Sequence, residues 1–288
     1  MTVFCVGSIN ADHFYEVPRI PAPGETLEGR NHRVGLGGKG ANQSVAAAQA
    51  GSRVVHIGAV GEDGAWAVDR LRDLGVETDF VVTVNEPTAH AIINVAQDGE
   101  NAIVIYPGAN MMQSEDAIRA ALRQSQPGDR LILQNEASLQ AEAAQMAARA
   151  GLQIIYSAAP FDTDAVQAIM PHVDILVVNE VEAAQLSAEL ETDLADLPAL
   201  GVLVTRGSEG ADFISAGEAT HVDAYAVTPV DTTGAGDTFL GYFVAGLDQG
   251  LEPPAAMTLA SAAAALKVTR PGTADAIPGR EDVEAFRA

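Results

Sequence analysis

Between residues 114 and 205 short apolar runs alternate with longer stretches in which apolar residues recur at helical spacing. The runs at 130–134, 152–157, 175–178 and 202–205 are rich in Ile, Leu and Val, as expected of strands buried on both faces. Residues 115–124, 139–150, 163–170 and 181–190 read as helices, with a second short helix before 202. Helix–strand alternation at this spacing predicts a parallel sheet covered by helices on both sides. A hairpin, 211–214 with 219–222, follows. An extended segment, 225–230, then leads into two helices, 235–247 and 254–269.

The first hundred residues have a different rhythm. Residues 3–6 read as a buried strand, and 14–34 carry Pro18, Pro21 and Pro23 with short mixed strands and no helical period. An alanine-rich helix at 41–50 ends at Gly51, a strand spans 53–60, and a helix at 65–74 ends at Gly75. Residues 81–84, 89–96 and 101–106 are strand-like, and Asp98-Gly99 between the last two is a hairpin signal. The two β excursions can pair with each other. The organisation expected is one α/β domain over 1–288, three layers with a mostly parallel sheet, plus a small β lid from about 13–35 and 88–106.

Composition narrows the function classes. Hydrophobic residues are 48% of the 288 and charged residues 19%, which fits a folded globular chain. The formal net charge of -23 argues against a nucleic-acid partner, which needs clustered Lys and Arg. The single cysteine, Cys5, sits in an apolar run, so no disulfide or zinc framework is expected. The apolar stretch at 3–6 is too short for a signal peptide, and no run approaches the roughly 18 apolar residues of a membrane span. A soluble cytoplasmic protein without a membrane partner is the expectation. Six histidines occur with no i, i+4 pair, which disfavours histidine metal catalysis, and no G-x-S-x-G elbow is present. Lysine occurs only as Lys39 and Lys267.

The chemistry concentrates in Val230-Asp231-Thr232-Thr233-Gly234-Ala235-Gly236-Asp237-Thr238-Phe239. Gly234 and Gly236 let the backbone approach a ligand, and the helix starting at about Ala235 presents unpaired N–H groups and partial positive charge. That is an anion site suited to phosphate. Asp237 lies beside the anion, where a carboxylate is repulsive unless it acts; accepting the proton of an attacking hydroxyl is the role expected. The blander reading makes Asp237 an ordinary first-turn acid favoured by the helix dipole.

Gly35-Leu36-Gly37-Gly38-Lys39-Gly40 satisfies G-x-G-x-x-G, but the segment before it is polar where the dinucleotide fingerprint needs an apolar strand. It reads instead as a glycine-rich loop at a helix start, with Asn42 and backbone amides available to sugar hydroxyls. No Walker A pattern occurs. Polar residues follow several strands: Asn10 and Asp12, Glu136, Asn179 with Glu182, and Thr205-Arg206-Gly207-Ser208. An Asx turn at Asn10 and Asp12 and a helix cap at Glu182 explain them locally. Taken together, polar groups at the carboxyl ends of many strands describe one ligand cleft.

Two stretches carry a family resemblance: Gly37-Gly38-Lys39-Gly40-Ala41-Asn42-Gln43 and Asp231-Thr232-Thr233-Gly234-Ala235-Gly236-Asp237-Thr238-Phe239. They resemble the two signatures of the ribokinase-like (PfkB-type) carbohydrate kinases, and the likeness runs from about Phe4 to Pro278. Gly7-Ser8-Ile9-Asn10-Ala11-Asp12-His13, Pro23-Gly24-Glu25-Thr26 and Gly108-Ala109-Asn110 resemble the ribokinase branch in particular. The resemblance implies a ribokinase-like α/β/α fold and ATP-dependent phosphorylation of the primary hydroxyl of a small sugar, D-ribose foremost. It implies that Asn10, Asp12, Gly38, Lys39, Asn42 and Glu136 bind sugar hydroxyls. Asn179, Glu182, Thr205, Gly207, Ser208, Gly236 and Ser261 would bind nucleotide, with Glu182 also holding magnesium through water. Gly234, Ala235 and Gly236 would form the anion hole and Asp237 the base. A potassium ion would be held by carbonyls of Asp231, Thr233, Lys267, Arg270 and Gly272. At the remaining ligand position, usually a hydroxyl, this chain has Ala276, and Ser261 stands where relatives carry a larger group against adenine. Relatives often form homodimers through the lid, whose strand edges would gain from pairing.

Kinases for fructose, a nucleoside or a keto-deoxy sugar acid are sister readings. The lack of a second basic residue near Lys39 disfavours a phosphorylated or acidic substrate. A non-catalytic sugar-binding regulator on the same scaffold is a reading from another class, opposed by the intact Gly-Ala-Gly-Asp turn; a dinucleotide oxidoreductase is more distant.

Overall fold

The computed structural model describes residues 1–97 and 100–287. In chain order the elements are β1 (Thr2–Val6), β2 (Asn10–Val17), β3 (Asn31–Gly37), α1 (Lys39–Gln49), β4 (Arg53–Gly61), α2 (Ala65–Asp73), β5 (Val76–Val84), β6 (Ala89–Ala96) and β7 (Asn101–Tyr106). Then come α3 (Glu115–Leu122), β8 (Arg130–Gln134), α4 (Gln140–Ala150), β9 (Gln153–Ser157), α5 (Thr163–Ile169), β10 (Ile175–Asn179), α6 (Glu180–Leu190) and β11 (Gly201–Thr205). The chain closes with β12 (Ala211–Ser215), β13 (Glu218–Val222), α7 (Ala235–Asp248), α8 (Pro253–Val268) and α9 (Arg280–Arg287).

The main sheet has nine strands in the order β13-β12-β11-β10-β9-β8-β1-β4-β5. Every pairing from β11 to β5 is parallel; only the β12–β13 hairpin edge is antiparallel. Alternation along each strand divides the apolar residues between two cores. Val3, Cys5, Ile132, Ile155, Val177 and Leu203 face a layer that includes α1, α7 and α8. Phe4, Val6, Leu133, Tyr156, Val178 and Val204 face the layer of α3 to α6. Neighbouring side chains on a strand point to opposite faces, so both sides are covered and the strands read as continuous apolar runs.

A second sheet, ordered β3-β2-β6-β7, stands apart from this layer. Its small core is Phe14, Ala91 and Ile93, and the Arg33 guanidinium covers the Phe14 ring at 3.6 Å. β7 forms one edge and leaves Ile103, Val104 and Ile105 exposed.

Two sequence expectations differ from the structure, and two further features add to them. Asn10 and Asp12 lie not in a turn but on β2, paired with β3 and β6 on either side; their polarity hid a strand whose alternate positions are nonetheless buried. Residues 81–84 are the end of β5, which extends the main sheet beside β4 and takes no part in the second sheet. The segment 225–230 forms no sheet ladder; the N–H groups of Val230 and Asp231 instead donate to Val268 O, at 2.7 and 3.1 Å. Helix α9 went unforeseen, because it is short and strongly charged and buries only Val283. The Asp98-Gly99 turn lies outside the described residues.

Helices α1 and α7 approach closely because one contact residue is glycine. A Cβ on Gly241 would lie 2.6 Å from Gln43 O and 2.8 Å from Ala47 N, and would collide with the Ala46 methyl. Gly241 lies one turn beyond Asp237 on the same face of α7. Gly241→Ala should therefore separate the helices and cost roughly 3 kcal/mol. Chemical denaturation of the variant would measure this, and unchanged stability would show that the contact can relax.

Candidate active site

The turn before α7 is shaped for an anion. Gly234 is left-handed, with φ 74°, and caps the helix without a side-chain hydrogen bond. Ala235 N donates to Thr232 O at 3.2 Å, and the helical ladder opens with Thr238 N donating to Gly234 O at 2.9 Å. Among the described residues, the N–H groups of Gly236 and Asp237 have no acceptor. Of the implied anion hole Gly234, Ala235 and Gly236, Ala235 N is thus already engaged, and the free donors are those of Gly236 and Asp237. A Cβ at Gly236 would meet nothing within 4 Å, so this backbone faces open space.

Asp237 is held from the other helix. Asn42 Nδ2 donates to its Oδ2 at 3.0 Å and Gln43 Nε2 to its Oδ1 at 2.9 Å. Both oxygens are therefore fixed in direction. The amide oxygens of Asn42 and Gln43 are buried and lack partners. A buried acceptor without a donor is costly, and Asn42 Oδ1 is suited to receive a ligand hydroxyl.

A polar cluster extends from there. Ser8 Oγ donates to Glu136 Oε2 at 2.7 Å, Lys39 N donates to the same oxygen at 2.9 Å, and Gly40 N donates to Ser8 Oγ at 3.1 Å. Glu136 thus sits at the N-terminus of α1, where an acid is favoured. Gly38, with φ 91°, makes the turn that aims Lys39 N this way. Asn110 holds the start of β2 in place: its Oδ1 accepts from Ile9 N at 3.0 Å and its Nδ2 donates to Asn10 Oδ1 at 2.8 Å. Asp12 is buried against Gly37, where a Cβ would strike its carboxylate. Burial, reinforced by the Glu136 charge, raises its pKa to about 7, against the opposing pull of Arg33. The Lys39 ammonium is held above its ordinary range by Asp237 first, against burial, and then by Glu136 and Glu182. Lys39 is the cation among these carboxylates.

On the other side of the turn lies a cavity of about 520 Å³. Thr205, Gly207, Ser208, Ala235, Gly236 and Ser261 all line it, with Tyr225, Val227, Pro229 and Val268 as apolar wall. Ser261 Oγ donates to Asp223 O at 3.1 Å, so its hydroxyl is directed to backbone. An apolar slot ending on unpaired N–H groups suits a flat base joined to phosphates.

Asn179 and Glu182 lie outside the cavity lining and form a capping box on α6. Asn179 Oδ1 accepts from Glu182 N at 2.9 Å and Glu182 Oε2 accepts from Asn179 N at 2.8 Å. Burial raises the Glu182 pKa, and its charge interacts with Lys39 and Asp237, so it borders the same cleft. Among the described residues no three His, Cys, Asp or Glu gather to hold a metal. A magnesium ion here would take phosphate oxygens and water, the donors it prefers, and Glu182 is the carboxylate that would accept from such waters.

Hydrogen bonds bring the positions implied for potassium together, but one of the implied ligand carbonyls, Asp231 O, already accepts from a side-chain cation. The Lys267 ammonium donates to Asp231 O at 3.0 Å. Lys267 O accepts from Arg270 N at 2.9 Å, and the Asp231 carboxylate accepts from Thr233 N and Gly272 N, each at 2.9 Å. Ala276 offers only a methyl, its Cβ within 3.8 Å of the place a Gly272 Cβ would take. These residues do not fit a free potassium ion.

Ser8, Gln43 and Asn110 also belong to the candidate site, although nothing local in the sequence singles them out. The one signal is that each lies in a stretch that carries the family resemblance; their roles depend on partners about 100 or more residues away.

Comparison with known proteins matches residues 2–280 to the pfkB family carbohydrate kinase profile. The chain is 35% identical to the ribokinase of Haemophilus influenzae, over 99% of this chain and 98% of that one. It is also similar to the solved structure of Arabidopsis thaliana ribokinase complexed with ribose and ATP (31% identity, TM-score 0.87, 99% and 97% of the two chains). The ribokinase of Cryptococcus neoformans in complex with ADP gives 32% identity and a TM-score of 0.86, over 98% of each chain. The fold is the ribokinase-like α/β fold.

Asp12 yields a pH-dependent expectation. Its folded pKa of about 7 lies above the ordinary aspartate value, so the fold favours the protonated form. Its contribution to stability is complete at low pH and is lost as pH rises through about 7. Relative to Asp12→Asn, the ligand-free protein should lose on the order of 3 kcal/mol between pH 4 and pH 8. Urea unfolding of both proteins across that range tests this; parallel stability profiles would contradict it.

Proposed function

Because the chain belongs to the pfkB family of carbohydrate kinases, we propose that it transfers the γ-phosphoryl group of ATP to the primary hydroxyl of D-ribose, giving D-ribose 5-phosphate and ADP. The observation that carries this reading is the Asp237 carboxylate, clamped by Asn42 and Gln43 beside two unpaired N–H groups, between a polar cluster and an apolar cavity. The relatives named ribokinase, and the Arabidopsis thaliana ribokinase complexed with ribose and ATP, support the choice of sugar and nucleotide.

In this reading the sugar lies among Asn10, Asp12, Gly38, Lys39, Asn42 and Glu136. A neutral polyol suits it: carboxylates and amides predominate there, and Lys39 is already balanced by acids. The nucleotide lies in the cavity along Thr205, Gly207, Ser208 and Ser261, and its phosphates reach Gly234, Ala235 and Gly236. The sugar oxygen attacks the γ-phosphorus as the bond to the β-phosphate oxygen breaks. Asp237 takes the hydroxyl proton. A weak base suffices, because the transition state is loose and the proton can leave late. The N–H groups of Gly236 and Asp237 stabilise charge growing on the transferring oxygens, a term commonly worth about 3 kcal/mol per donor. Magnesium, when bound to the phosphates near Glu182, neutralises their charge.

The four-stranded sheet serves, in this reading, as a lid within a single 1–288 kinase domain, and its β2 brings Asn10 and Asp12 over the sugar. Closure would exclude water and limit ATP hydrolysis. The exposed apolar residues of the β7 edge support a homodimer formed through the lid sheets. Among the described residues no helix is long and apolar enough to cross a membrane, and we assign the protein to the cytoplasm.

Asp237→Asn should lower turnover by about 10²–10⁴-fold with ADP affinity kept; near-normal turnover would remove the base assignment. ATP consumption against a panel of ribose, fructose, nucleosides and sugar acids should be highest with ribose, and a preference for another acceptor would replace ribose in the reading.

A further inference from the structure

Lys267 lies in the last turn of α8 and is fully buried. Burying an ammonium group is expensive unless it is paired, and an aliphatic side chain could fill the end of α8 without that cost. The charge therefore calls for a reason. The ammonium group donates to Asp231 O at 3.0 Å. Asp231 in turn fixes two other segments through its carboxylate, taking Thr233 N and Gly272 N, each at 2.9 Å. Burial draws the Lys267 pKa down, while the negative charges of Asp231 and, beyond it, Asp237 push it back up. The cation thus sits behind the backbone turn that ends in Gly234 and opens α7.

We propose that the Lys267 ammonium is a tethered monovalent cation that holds the 231–234 turn in its anion-binding shape, so that phosphoryl transfer by this chain needs no potassium. The inference rests on the kinase function proposed above. An ammonium carries one positive charge and three donors that carbonyl oxygens can accept. It reaches Asp231 O, which the resemblance implies as a potassium ligand, and a free cation beside it would meet like charge. Lys267 O is directed to Arg270 N, and the hydroxyl expected at position 276 is replaced by the methyl of Ala276. The chain thus combines a buried side-chain cation at Lys267 with a methyl, at Ala276, where the resemblance implies a hydroxyl ligand. Tethering also removes the entropy cost of capturing an ion, so the turn is set before nucleotide arrives.

The test compares ribose phosphorylation with and without potassium chloride, ionic strength being held with tetramethylammonium chloride. Calorimetric ADP affinity and the melting temperature are measured in the same two buffers. Turnover and affinity should agree within about twofold, with no potassium-dependent melting shift. Activation of about tenfold or more by potassium, or a rise in ADP affinity or melting temperature specific to it, would overturn the inference. Lys267→Met should lose about 10²-fold in potassium-free turnover and recover part of it with potassium or ammonium; full potassium-free turnover in that variant would also overturn it. If no sugar is phosphorylated in either buffer, the kinase reading fails, and ADP affinity and melting temperature alone decide whether the site takes potassium.

Discussion

The contact between α1 and α7 is the constraint on which the site depends. Two helices must meet closely enough for Asn42 and Gln43 to reach the Asp237 carboxylate, 195 and 194 residues away in sequence. Small residues make that approach possible: Ala46 and Ala47 on α1 face Gly241 on α7. The same packing sets the direction of the α7 N-terminus, and so of the N–H groups of Gly236 and Asp237. A carboxylate and a helix start with unpaired N–H groups are adjacent because one helix carries both. The amides from the other helix keep the carboxylate's oxygens pointed, and charge-assisted hydrogen bonds of this kind are strong and directional.

Around that contact the charges are arranged rather than minimised. Glu136, Glu182 and Asp237 come from separate parts of the chain and share Lys39 as cation, while Asp12 has Arg33. In a chain of net charge -23, an acidic rim disfavours anionic acceptors, while the candidate anion site is confined to backbone donors at one turn. Polyanionic nucleotide and neutral sugar would thus be received by different chemistry on either side of Asp237. Lys267 extends the pattern: the second of only two lysines in the chain lies behind the turn that Lys39 faces.

The second sheet couples to this centre through β2. Asn10 is tied to Asn110, and Ile9 N donates to the same amide, so the entry to β2 and the 108–112 segment meet at one side chain. Thr273 Oγ1 donates to Leu36 O at 2.6 Å, linking β3 to the loop that carries Gly272. The sheet carrying Asn10 and Asp12 is thereby joined to the segment that braces the anion turn.

The alternating helices and strands from 114 to 205, the glycine turn before Asp237 and the Gly38–Asn42 helix start were legible in the sequence, because period and local backbone demand are written into consecutive residues. The strand character of Asn10 and Asp12 was hidden, since polar residues read as a turn until partners on both sides bury them. The stacking of His13, His32 and Tyr15 was likewise invisible, arising only where β2 and β3 pair. Lys267 is the sharpest case. Its sequence context is the end of an alanine-rich helix, and only tertiary structure brings its ammonium to Asp231 O, 36 residues away. Local pattern determined which elements form and which residues could do chemistry; the packing of α1, α7 and α8 decided which of them meet, because hydrogen bonds and charge pairs act over a few ångströms of space and not along the chain.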